Sequence, residues 1–242
     1  MLHLSFNSTL DRQVDINVLD ESDDKPIVSW PPFSKEEFKI VISSYNNSSA
    51  PRLDNLSWNH LKFILKHNEC LINIIGIANT CIDLGYWPNH FKKSTMIIIP
   101  KSNKLLYDLP KSFRPIVLLN TLGKLIEKVI GERIQFHIAS NDFIHSNQLD
   151  GLKFKSTTDT GVILTHIIRS GWQKNLLTST LVFDILQFFP LLNHCLFTKI
   201  IQKVGLNSHV VDFFNNYLID RKTNYLWNNF SSHIFDINVG VG

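Results

Sequence analysis

The stretch Lys93 to Pro100, Lys-Ser-Thr-Met-Ile-Ile-Ile-Pro, constrains the fold more than any other. Its β-branched isoleucines favour extended backbone, and the proline ends the run, so it predicts a short strand. A polar, basic loop follows from Lys101 to Phe113, then a second short strand from Pro115 to Leu119. From Thr121 to Ala139 the pattern changes to a helical period. Leu122, Leu125, Ile126, Val129 and Ile134 form one stripe, with Lys124, Lys128 and Glu132 off it. A strand that must find partners, set among helices, predicts a mixed α/β (α+β) layer architecture, mostly helical with short mixed strands.

The remaining punctuation supports that class. Ser34-Lys35-Glu36-Glu37 is a capping box that opens a helix to about Ser43, and Ser57 caps a second helix. A third apolar-periodic segment runs from about Glu69 to Leu84 and stops at Gly85. Ser156-Thr157-Thr158-Asp159 opens a helix to about Gln173, and a strand from Thr180 to Leu186 is expected after it. Leu191 to Val204, closed by Gly205, and Ser208 to Leu218 are predicted helices. Thr223 to Asn228 and His233 to Val239 are predicted to pair as a hairpin.

Charge is unevenly spread. Residues 1–37 carry a net −5 and residues 38–242 a net +8, with the basic excess between Phe91 and Gly171. The basic body suits a polyanion, or is an ordinary solvated lysine surface. Three cysteines without a CxxC pair are expected as buried thiols, with no disulfide frame and no zinc site. The N-terminus lacks a signal peptide, and the longest greasy stretch, Leu71 to Leu84, is too short and polar to span a membrane. The expected chain is therefore soluble and intracellular, nuclear or cytoplasmic, not secreted, with no membrane and no small-molecule redox cofactor as partners.

Asp184 stands inside the apolar run Thr180-Leu181-Val182-Phe183-Asp184-Ile185-Leu186. A carboxylate among apolar residues is costly unless it is paired or holds a metal. Two readings are open from the residues alone: a magnesium ligand of a phosphoryl-transfer site, or an acid at a strand end facing water.

Ile97-Ile98-Ile99-Pro100-Lys101 followed by Phe113-Arg114-Pro115-Ile116-Val117-Leu118-Leu119-Asn120-Thr121-Leu122-Gly123-Lys124, with Glu127-Lys128, resembles the fingers of reverse transcriptases from non-long-terminal-repeat (LINE-type) retrotransposons. That family carries "IPK", a basic loop, then "FRPI-LLN-GK-EK". Further stretches resemble the family in the same order: Ser49-Ala50-Pro51 with Asp54 and His60-Leu61-Lys62; Gln148, Gly151 and Ser156-Thr157-Thr158-Asp159; Leu181 to Ile185 with Phe189 and Asn193-His194; and Gly240-Val241-Gly242.

The resemblance implies a right-hand polymerase fold, with an acidic lead-in over 1–33, a fingers-like region over 34–178 and a partial palm over 179–242. It implies an RNA-directed DNA polymerase using an RNA template, a DNA primer, deoxynucleoside triphosphates and Mg2+, with Mn2+ as an alternative. On the matching positions, Lys101 and Arg114 would contact the triphosphate. Asp184 would be the catalytic metal ligand. Phe189 would pack under the sugar and reject a 2′-hydroxyl. Lys124, Gln148 and Gly151 would lie against nucleic acid. Each has a plainer reading: loop cations, a core aromatic, a solvated lysine, a turn glycine. Arg52-Leu53, Phe188-Phe189-Pro190 and Asp150 depart from the family pattern. The family's Tyr-x-Asp-Asp carboxylates are not among the 242 residues, so the expectation is a truncated, inactive segment with apolar surface uncovered near Asp184 and the last hairpin. The alternatives are a non-catalytic RNA- or DNA-binding module and a degenerate remnant.

Overall fold

The computed structural model describes residues 27–46, 55–109, 112–141, 143–145, 147–149, 151–153, 155–183, 185, 191–227 and 230–237. The order of elements is α1 (Lys35–Ser44), α2 (Trp58–Ile64), α3 (Asn68–Asp83), β1 (Lys93–Pro100), β2 (Phe113–Leu119), α4 (Thr121–Ser140), α5 (Thr157–Gln173), α6 (His194–Lys203), α7 (Ser208–Leu218), β3 (Arg221–Trp227), β4 (Phe230–Ser231) and β5 (Phe235–Ile237). The mixed α/β class expected from the sequence is the observed one.

The helix starts follow from their caps. Ser34, Ser57 and Ser156 each accept from the N–H three residues on, and Glu37, His60 and Asp159 return the bond to the cap backbone. Asn120 caps α4 by accepting from the N–H groups of Leu122 and Gly123. Gly85, at φ +57, ends the turn after α3 where a Cβ would lie 2.6 Å from Asp212 Cβ on α7.

β1 pairs antiparallel with β2 and parallel with β3, while β4 and β5 both pair antiparallel with β3. The predicted terminal hairpin thus exists, with its return divided in two. Residues 93–119 and 221–237 share this sheet. The parallel β1–β3 pairing is a long-range contact that no local signal announces. Beside the sheet, α1, α3, α4 and α7 enclose the core: Phe38, Ala78, Trp87, Leu125, Ile126 and Val210 are fully buried.

The lead-in is packed where it is described. The Val28 N–H donates to Gly205 O, the Phe33 N–H donates to Asn79 Oδ1, and Phe33 joins the core. Arg133 of α4 holds it there. Its guanidinium donates to both carboxylate oxygens of Glu37 and to the carbonyls of Pro31 and Pro32, and lies 4.1 Å from the Phe33 ring centre.

Two expectations are corrected. Residues 176–183 and 185 form no strand. Leu177, Leu181, Val182, Phe183 and Ile185 are exposed. Extended backbone becomes a strand only when a neighbour takes up its N–H and C=O groups, and none of the described strands does so here. Composition gives the run its β-propensity, but propensity does not supply a partner. The apolar stripe of α5 is also uncovered, since that helix has no buried residue. Of the thiols, Cys81 alone is buried, and burial pushes its pKa up to about 11; Cys70 is half-buried and Cys195 exposed. Among the described residues, no helix is long and apolar enough to cross a membrane.

Candidate nucleic-acid interface

Strand register decides what the cations of the β1–β2 hairpin can do together. Ile99 opposes Arg114, and the ladder continues past Pro100, with the Lys101 N–H donating to Ser112 O at 2.9 Å. Opposed residues point to one face, and so do residues two apart on a strand. Lys101 and Arg114 therefore share a face as diagonal neighbours, about 7–8 Å apart, within reach of one polyphosphate. Two bonds fold the intervening loop back: the Tyr107 hydroxyl donates to Lys101 O, and the Ser112 hydroxyl to Leu106 O. Arg114 is exposed and Lys101 half-buried.

A second set of residues lies along α4. Lys124, Lys128, Gly131 and Gln135 are spaced to fall on one helix face, and with Tyr45 and Glu127 they line a shallow groove of about 370 Å³. From Lys124 to Gln135 this track runs about 16 Å at helical rise. Gln135 Nε2 donates to Gly151 O at 3.0 Å, so the glycine sits at the far end of the track. Gly151 has φ +74, a conformation that favours glycine. Gln148 is exposed, its N–H bonded to His145 O. Gly123 has its own structural reason: a Cβ there would lie 3.2 Å from the Phe91 ring, so glycine lets the start of α4 settle on Phe91.

The fold thus brings Lys101 to Arg114 and sets Lys124 and Gly151 at opposite ends of the α4 track, but keeps the hairpin pair and the track apart. Five residues of strand, about 16 Å, separate Arg114 from Leu119 at the foot of α4. Asp184 and Phe189 lie outside the described residues. Among the described residues, no group of three or more His, Cys, Asp or Glu side chains could hold a metal.

Several cations counted in the basic excess are committed elsewhere. Lys153 and Lys128 both bind Glu132, at 2.9 and 3.0 Å. Hydrogen bonds from Lys153 and then Lys128 hold the Glu132 carboxyl below its ordinary pKa. Lys92 and Arg221 are buried, and desolvation lowers the Lys92 pKa. The Lys153–Glu132 pair, with the Gln135–Gly151 bond, pins the segment around Gly151 to α4. A depressed carboxylate pKa contributes stability above its unfolded value, about 4.3, and loses it as pH falls through the folded value. Hydrogen exchange around Lys153 is accordingly expected to rise below pH about 4, and Glu132→Gln to show that faster exchange already at pH 7. Equal protection of the two proteins at pH 7 would refute the pin.

Helical spacing from Lys124 carried a signal for Gln135, which lies outside the family motifs. Tyr45 had none, since its place beside Lys124 arises only when α1 packs on α4.

Fold and site together describe an α/β domain with a cationic hairpin and a polar helical track. No family model matches the chain. It is 31% identical over 103 residues to the RNA-directed DNA polymerase from mobile element jockey of Drosophila funebris, covering 43% of this chain and 11% of that protein. It is 32% identical over 99 residues to the jockey polymerase of Drosophila melanogaster, covering 41% and 10%. Over 194 residues it is 25% identical to the "Probable RNA-directed DNA polymerase from transposon BS" of Drosophila melanogaster, covering 79% and 21%. The chain spans about a tenth to a fifth of the length of these relatives. Its curated relatives are LINE-type retrotransposon reverse transcriptases, as the motifs implied, at modest identity.

Proposed function

We propose that the chain is a segment of a reverse transcriptase, an acidic lead-in over 1–33, fingers over 34–178 and the first part of a palm over 179–242, acting inside the cell on an RNA template and a DNA primer. The observation that carries this is the shared face of Lys101 and Arg114 in a chain related to RNA-directed DNA polymerases. A guanidinium binds phosphate oxygens as a fork and an ammonium adds a point charge, so the pair suits a deoxynucleoside triphosphate. Lys124, Gln148 and Gly151 would then follow the nucleic-acid backbone along α4. Phe189 would press on the sugar. Asp184 would hold magnesium, or manganese in its place; the metal, when bound, polarises the phosphate under attack. The described residues add no carboxylate cluster to complete such a centre, so no catalytic step is assigned to them.

The test is titration of the 242-residue chain with a deoxynucleoside triphosphate. Replacing Lys101→Ala and Arg114→Ala together is expected to weaken binding about tenfold or more, since a hydrogen bond to a charged group contributes about 1.5–3 kcal/mol. Unchanged affinity would sink the assignment. The same chain by itself is expected to leave a primer unextended on an RNA template; template-dependent product lost in Asp184→Asn would reverse that expectation. Binding without catalysis is the second reading, favoured by the α4 track, which needs no metal.

A further inference from the structure

The sheet face opposite Lys101 and Arg114 carries aromatic rings in place of charge. Register places Met96, Ile98, Phe113, Pro115, Tyr225 and Trp227 on that face, and with Asp108 and Leu109 of the folded-back loop they line a slot of about 440 Å³. Small-ligand pockets have that size, about 300–1,000 Å³, with apolar walls and few polar groups. The Phe113 and Trp227 rings meet edge to face at 5.1 Å, and Tyr225 and Trp227 stay 37% and 40% exposed. Asp108 is exposed and forms no ion pair with another described residue, leaving its carboxylate available as an acceptor. Among the described residues no strand pairs with the outer edge of β2, so a chain held by Arg114 on one face can turn round the hairpin tip to the other.

We infer that this slot binds an unpaired nucleobase of a single-stranded nucleic acid, stacked on Trp227 with the inclined Phe113 ring against the base's edge, and with Asp108 accepting from an exocyclic amino group. The inference rests on the nucleic-acid reading above. Charge and shape favour this occupant over an apolar peptide. Cations for the phosphate stand at the same hairpin tip, the walls are π faces, and the polar group in the slot is an acceptor suited to cytosine N4–H₂.

The experiment uses the full 242-residue chain and a DNA–RNA duplex with a single-stranded tail, either of cytidines or of abasic linkers with the same phosphates. The wild type is expected to bind the cytidine tail at least about fivefold tighter, as stacking on aromatic side chains predicts. Trp227→Leu should remove that preference. Asp108→Asn, in an exposed loop, should keep the preference for bases over abasic linkers but lose the preference for cytidine over uridine tails. Equal binding of both tails by the wild type would overturn the slot while leaving the nucleic-acid reading standing. A preference that survives both substitutions would overturn its assignment to these residues. No binding of any probe would overturn both.

Discussion

Arg133→Ala is expected to lower stability by about 1.5–3 kcal/mol, the scale of a hydrogen bond to a charged group, because the ion pair is only partly buried. A chain of this size should then melt lower by roughly 3–12 °C. The guanidinium is 14% exposed and serves Glu37, Pro31 O and Pro32 O at once, with Trp30 and Phe33 against its faces. Truncation leaves the Glu37 carboxylate half-buried without its fork and frees two carbonyls. Arg133→Lys should recover little, because a single ammonium cannot match the planar donor set. Thermal denaturation reads the first effect. Faster exchange at the Val28 and Phe33 amides reads the second, since both are bonded only while the lead-in is docked. A melting temperature within a degree or so of the wild type would refute the clamp. Arg133 faces away from the Lys124 track on α4, so nucleic-acid affinity below the melting range should hold.

Trp87→Ala is expected to cost about 3–5 kcal/mol, as for other large aromatic truncations in a packed core. Trp87 is fully buried between the end of α3 and the start of β1, and its ring contacts those of Phe91, Phe213 and Tyr217. It joins helices to the first strand, so the cavity would loosen the base of the sheet that carries Lys101. Its indole N–H has no hydrogen-bond partner among the described residues. Trp87→Phe keeps most of the packing and removes that orphan donor, so its cost should stay below about 1.5 kcal/mol. Denaturant unfolding of the two variants separates the terms. If Phe destabilised as much as Ala, the indole nitrogen would have to hold a bond that this geometry does not show.

Both residues illustrate how unevenly the sequence can be read. Local signals were legible: capping boxes at Ser34 and Ser156, a cap at Ser57, stops at Gly85 and Gly205, and β1 and α7 to their end residues. The ordered motifs also led to the right relatives. Arg133 was legible only as one of many basic residues. Its use as a clamp depends on Glu37, nearly a hundred positions away. The strand around Asp184 failed for the opposite reason, because local propensity promised more than the packing delivered.

By itself, then, the sequence determined the elements and the kinship, because caps, periods and motif order act over a few residues and survive in any context. Tertiary structure decided the β1–β3 pairing, the shared face of Lys101 and Arg114, and which cations face solvent. Lys92 and Arg221 are buried, Lys128 and Lys153 are bound to Glu132, and Arg133 is spent on the lead-in. Charge counts along a chain cannot tell these from cations left for phosphate, because pairing and desolvation depend on which distant segments meet.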